Sequence, residues 1–283
     1  MLDVAIVGAG ELGGLVAHVL ACRDAVAEIR LVDDSDGSSR VAIGKGLDIM
    51  QAGPVERFAT RVSGSGDLSS VGGSTVVVLA DRVRGGEWQG EDGLQLVERL
   101  RGLAPDAIVL CAGAGQRDLL ERGVRELHMP RARLVGSAPE ALAAAARAIV
   151  ALEADGSARD VALSVVGVPP DQITVPWEDA TIGGLGATRV LMEPARRRIA
   201  ARMPLLWPPG PYALASAATK IIEAVVGRSR TGAICFVGPD DSAGQRTRAA
   251  ALPVRLGRRG IEAVVLPQLN AHDRVALENA MLL

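Results

Sequence analysis

The opening of the chain narrows the possible folds more than any other segment. Val4 to Val7 is a short apolar run bounded by Gly8-Ala9-Gly10, after which Leu12, Leu15, Val16, Val19 and Leu20 recur at helical spacing. Glu28 to Val32 is a second apolar run and ends on Asp33-Asp34. The order is strand, glycine turn, helix, strand. Gly8-Ala9-Gly10-Glu11-Leu12-Gly13 matches GxGxxG, and Asp33 follows Gly13 by 20 positions. With 33 glycines in 283 residues, about 0.4 such matches arise by chance, so it is the context that gives the pattern meaning. In that context Gly8 allows the tight turn, Gly10 lets the backbone approach a pyrophosphate, and Gly13 lets the helix lie close on the strand. The helix N-terminus adds free N–H donors and the positive end of its dipole. Asp33 stands where a carboxylate accepts hydrogen bonds from the adenosine ribose hydroxyls. A 2′-phosphate there would meet Asp33 and Asp34 with no arginine before Arg40, which favours NAD over NADP.

Further apolar strand candidates lie at Thr75–Leu79, Ala107–Cys111 and Leu134–Val135, with helical stretches between them, Gly93–Leu103 being the clearest. Asp33 to Arg40 reads as a loop. Runs without polar alternation, spaced by helices, predict a parallel sheet covered on both faces. Glu140–Glu153 is a helix by propensity and spacing. Later come strands at Val161–Val166, Gly232–Val237, Arg248–Val254 and Ile261–Leu266, and helices at Tyr212–Val226 and Asp273–Met281. The expected division is a Rossmann dinucleotide-binding domain over 1–137 and a mixed α/β substrate and oligomerisation domain over 138–283.

Composition excludes several function classes. The chain carries 31 basic and 33 acidic residues, net −2, so no global field draws nucleic acid or an anionic membrane. An aromatic share of 2% disfavours a base-stacking platform. No apolar run reaches the roughly 18 residues of a membrane span, and no basic leader with a cleavage pattern precedes Val4. Three scattered cysteines, without a CxxC pair, read as reduced thiols rather than a disulfide frame or a zinc site. These features together predict a cytoplasmic protein.

Gly8–Gly13 and Asp33, then Gly44-Lys45-Gly46-Leu47-Asp48-Ile49 with Ala52-Gly53-Pro54, resemble the lactate/malate dehydrogenase family. So does Leu252-Pro253-Val254-Arg255-Leu256-Gly257-Arg258-Arg259-Gly260-Ile261-Glu262 near the end. The likeness runs nearly end to end, stronger at both termini than in the middle. It implies a doubly wound Rossmann sheet followed by the family's mixed α/β domain, and a homodimer or homotetramer. It further implies NAD held by Gly8, Gly10, Glu11, Leu12, Gly13, Asp33 and Ala80. The implied activity is hydride exchange between a small 2-hydroxy acid and its 2-oxo acid.

The family's chemistry needs a histidine for the hydroxyl proton, an aspartate that orients it, and an arginine that holds the substrate carboxylate. The Gly-x-His-Gly-Asp segment falls here on Gly167-Val168-Pro169-Pro170-Asp171, so Pro169 takes the histidine position and cannot transfer a proton. The Asp-x-x-Arg pattern falls on Glu140-Ala141-Leu142-Ala143, and the Asn-Pro pair falls within Cys111-Ala112-Gly113-Ala114. None of the three histidines, His18, His128 and His272, aligns with the site. The remaining candidates are Glu140 and Asp171 for proton chemistry and Arg84, in the loop Ala80–Glu87, for the substrate carboxylate. Arg147, one turn along the helix from Ala143, reads as a solvated arginine rather than a relocated clamp. Ordinary lactate or malate turnover is therefore expected to be weak or absent. Two functions stay open: an NAD-dependent oxidoreductase of the family, and a non-catalytic NAD-binding sensor or assembly subunit.

Overall fold

The computed structural model describes residues 2–35, 37–229, 231–242 and 244–282. Strand and helix alternate through the first half. β1 (Asp3–Val7), α1 (Glu11–Cys22), β2 (Glu28–Val32), α2 (Ser39–Glu56), β3 (Arg61–Ser65) and β4 (Val76–Leu79) come first. A small hairpin, β5 (Asp81–Arg82) and β6 (Gly86–Glu87), precedes α3 (Gly90–Leu103), β7 (Ile108–Cys111), α4 (Arg117–Arg125), β8 (Leu134–Gly136) and α5 (Ala138–Glu153). Five short strands follow: β9 (Val161–Ala162), β10 (Val166–Val168), β11 (Gln172–Thr174), β12 (Thr181–Ile182) and β13 (Leu185–Gly186). After them come α6 (Ala187–Val190), α7 (Glu193–Arg202) and α8 (Pro211–Val225). The last elements are β14 (Ala233–Val237), β15 (Ala250–Gly257), β16 (Gly260–Val264) and α9 (Ala271–Met281).

Six strands pair in parallel in the order β3-β2-β1-β4-β7-β8. The same sheet continues antiparallel through β14, β15, β10 and β11, and β16 also pairs with β15. Every residue of β4 and β7 is buried, because α1, α5 and α8 pack together and α3 packs on α4 around the sheet. This is why those runs show no polar alternation. The change from parallel to antiparallel pairing comes after Gly136, and the sheet runs on unbroken across it. Among the described residues no helix is long and apolar enough to cross a membrane.

The strong apolar runs fold as expected, within a few residues at their ends. α2 was not legible because Gly44, Gly46 and Pro54 interrupt its helical propensity. Tertiary packing holds it instead. A Cβ on Gly46 would lie 2.9 Å from the Gly64 nitrogen, and one on Gly64 would lie 2.2 Å from the Ala42 carbonyl oxygen. Only glycines let α2 lie this close on β3. The expected strand Val161–Val166 is corrected to two pieces, β9 in a small sheet with β12 and β13, and β10 in the main sheet. The chain crosses from one sheet to the other over residues 163–165.

Candidate active site

Strand order reverses between β1 and β4, and in a doubly wound sheet the crevice at such a reversal is where ligands sit. The glycine turn leaves β1 there, and Ala80-Asp81 leaves β4 opposite it. Gly8 adopts φ +110°, which bends the chain as the sequence requires. The Gly10 N–H donates to the Asp81 carbonyl at 2.9 Å, and the Gly13 N–H donates to Asp81 Oδ1 at 2.9 Å. A Cβ on Gly10 would lie 2.4 Å from Asp81 Cγ, so the room that this glycine leaves is filled by the aspartate side chain. Gly13 serves the close packing expected of it, since a Cβ there would meet the Gly8 carbonyl oxygen at 1.9 Å. Lys45 Nζ donates to the Gly10 carbonyl at 2.6 Å. Leu12 and Ala80 are buried, and Glu11 is exposed.

Asp33 is brought to the same place but has its own partners. It is fully buried. Its Oδ2 accepts the Ala9 N–H at 2.9 Å and the Val83 N–H at 3.1 Å. Its Oδ1 accepts the Ser35 N–H at 3.2 Å and the Ser35 hydroxyl. A carboxylate offers about four acceptor positions, and these four donors use them. On the other side of the crevice, Glu87 Oε1 accepts the Ala114 N–H at 3.0 Å and Oε2 accepts the Gly115 N–H at 2.8 Å. As arranged here, Asp33 and the Gly13 N–H do not fit a dinucleotide, because protein groups already hold the carboxylate's acceptor positions and that donor.

The catalytic candidates separate into two kinds. Glu140 is buried, with Oε1 accepting Arg147 and Lys220, each at 2.7 Å, and Oε2 accepting the Ile234 N–H at 2.9 Å. β14 runs past the end of β8 here, and Glu140 satisfies a strand N–H that β8 no longer reaches. Arg147 is therefore corrected from a solvated arginine to the buried glutamate's ion-pair partner, its side chain 22% exposed. Asp171 and Arg84 are exposed, Asp171 on the turn between β10 and β11 and Arg84 on the turn between β5 and β6. Pro169 is buried at the end of β10. His18 lies 3.6 Å from Cys22 Sγ on α1, His128 holds a positive-φ turn, and His272 opens α9.

Sequence reasoning missed the roles of Asp81, Glu87 and Lys220. Asp81 and Glu87 had a legible signal, two acidic residues bracketing the loop after β4 where a phosphate site favours neutral or basic groups. Lys220 stands alone as a cation in the apolar run of α8, where a buried acidic partner is the expected reason.

Two of the three thiols are buried. Burial, with the Glu87 charge nearby, pushes Cys111 up to about 12. Burial and the Glu140 charge push Cys235 up as well, against a smaller opposing effect of Lys220. Ellman's reagent at pH 8 is expected to label Cys22 alone in the folded protein and all three thiols in denaturant. Fast native labelling of two or three thiols would contradict the burial. No group of three or more His, Cys, Asp or Glu able to hold a metal is found among the described residues.

No family model matches the chain. Its sequence is 27% identical to the malate dehydrogenase of Thermomicrobium roseum over 294 residues, covering 98% of this chain and 94% of that protein. It is 28% identical to that of Desulforudis audaxviator over 297 residues, with the same coverage. Its fold matches the malate dehydrogenase of Salinibacter ruber at TM-score 0.85 and 24% identity, covering 99% of this chain and 94% of that one. It also matches the lactate dehydrogenase of Cryptosporidium parvum, solved with lactic acid and nicotinamide adenine dinucleotide, at TM-score 0.85 and 18% identity, with the same coverage. Along the whole chain, in sequence and in fold, the protein is similar to malate and lactate dehydrogenases.

Proposed function

We propose that this chain is a non-catalytic member of the lactate/malate dehydrogenase family, one that keeps the dehydrogenase fold as an assembly subunit and no longer interconverts lactate or malate with the 2-oxo acids. The observation that carries this is Glu140 locked between Arg147, Lys220 and the Ile234 N–H, beside the absence of a histidine from the segment where the resemblance would put it, Pro169 standing there instead. A positioned acid/base is worth ~10²–10⁴ in rate, and the bidentate carboxylate clamp is missing as well. Steady-state assays with NADH and either pyruvate or oxaloacetate are expected to give kcat/KM at least ~10⁴-fold below a working dehydrogenase. Pro169→His alone is expected to restore none of it, because Glu140 has no free oxygen to orient the imidazole. Turnover at ordinary dehydrogenase rates would reject this proposal.

A second reading is supported by the likeness of the whole chain to malate dehydrogenases. In it the protein is an NAD-dependent oxidoreductase on a 2-hydroxy acid, with 1–137 as the NAD-binding domain and 138–283 as the substrate and oligomerisation domain. Gly8, Gly10, Glu11, Leu12, Gly13, Asp33 and Ala80 would then surround NAD and Arg84 would meet the substrate, with Asp171 or Glu140 in proton transfer. Either reading proposes a cytoplasmic homodimer or homotetramer. The exposed apolar side chains Ile43, Leu47 and Met50 on α2 support self-association.

A further inference from the structure

We infer that Asp81, at the N-terminus of α1, and Glu87, against the loop after β7, are internal anions that fill the crevice, so that the folded chain excludes NADH and NADPH. Two loops make the same substitution independently. At the N-terminus of α1, the Gly13 N–H, one of the free donors of the first turn, donates to Asp81 Oδ1, and the space that Gly10 leaves for a pyrophosphate is filled by that carboxylate. After β7, the Ala114 and Gly115 N–H groups donate to the two oxygens of Glu87, and a Cβ on Gly113 would lie 2.3 Å from Glu87 Cδ.

One hairpin carries both carboxylates, since Asp81 pairs with Glu87 across β5 and β6. The turn between them is anchored by the Val83 N–H on Asp33. A helix N-terminus favours an anion, and here the chain supplies its own. A dinucleotide would have to displace both carboxylates and then lie beside them with like charge. Two nearby cations are committed elsewhere, Lys45 to the Gly10 carbonyl and Arg82 to Asp92 and the face of Trp88, 4.7 Å from its ring centroid, while Arg84 stands exposed on the hairpin turn. This goes beyond loss of turnover, because a protein without a proton-transfer residue can still bind cofactor.

The test is a fluorescence titration with NADH, and with NADPH alongside, on the wild-type protein and three variants. Wild type is expected to show no saturable binding up to about 1 mM NADH. Asp81→Gly removes the carboxylate from the turn and is expected to tighten NADH binding on the order of 30-fold, bringing saturation into the measured range. Asp81→Asn and the double variant Asp81→Asn/Glu87→Gln keep the side-chain shape, so they decide the matter if circular dichroism shows that Asp81→Gly has not folded. Saturable wild-type binding at tens of micromolar, about 50 µM or tighter, would overturn the exclusion. So would folded Asp81 variants that still bind nothing. Because only binding is read, wild-type binding without turnover would sink this inference and leave the proposed loss of catalysis standing.

Discussion

Glu140→Ala is expected to lower the unfolding free energy by about 3–5 kcal/mol, the usual cost of breaking a buried ion pair by removing one partner. The glutamate side chain is 3% exposed, while Arg147 and Lys220 are 22% and 33% exposed. Removing it leaves two half-buried cations side by side and strands the Ile234 N–H in the interior. In a chain of 283 residues, this corresponds to a fall in melting temperature on the order of 10 °C. Thermal unfolding followed by circular dichroism checks it. A loss below about 1 kcal/mol would show that the cluster contributes little and that Glu140 is free for another role. Replacing all three charged residues with apolar ones of similar volume is expected to recover much of the loss, since it removes the uncompensated charges along with the pair.

Asp33→Ala is expected to cost about 2–4 kcal/mol, because two backbone donors, buried Ala9 and half-buried Val83, lose their acceptor at once. If Asp33 served mainly a ribose, the loss would fall on ligand affinity and stability would change little. Urea unfolding distinguishes these outcomes: a lower midpoint at unchanged slope is the expected result. Asp33→Asn keeps one acceptor oxygen and is expected to lose less than half as much. A folded Asp33→Ala with wild-type midpoint would return the carboxylate to the role its position suggests.

Much of the fold is legible in the sequence because both faces of the central strands are buried. Val4–Val7, Val76–Leu79 and Ile108–Cys111 read as continuous apolar runs, and Gly8, Gly10 and Gly13 stand between strand and helix as a glycine turn should. The elements that were missed depend on contacts far apart in the chain. α2 survives its glycines only because β3 lies against them, and the hairpin of β5 and β6 has two residues per strand, too short for any period to show. The site was half legible for a similar reason. Residue types placed Asp33 and the glycines at the crevice, and only the resemblance set Pro169 against the family's histidine. They could not show that Asp81 and Glu87 fold back into the crevice, since a carboxylate in a loop is usually solvated. Nor could they show that Glu140 spans from α5 to β14, because that depends on how far β14 outruns β8.

The pairing of β8 with β14, reinforced by the Glu140 bond to Ile234, also restricts how the molecule can move. A sheet that passes uninterrupted from the first half into the second cannot act as a hinge without tearing main-chain bonds in its own interior. Rocking one half against the other is therefore closed off as a route into the crevice. The short hairpin, held by two rungs and lying at the crevice itself, is the piece whose opening would expose it. On the proposed exclusion of cofactor, the hairpin would be a small latch that carries the charges keeping the crevice shut.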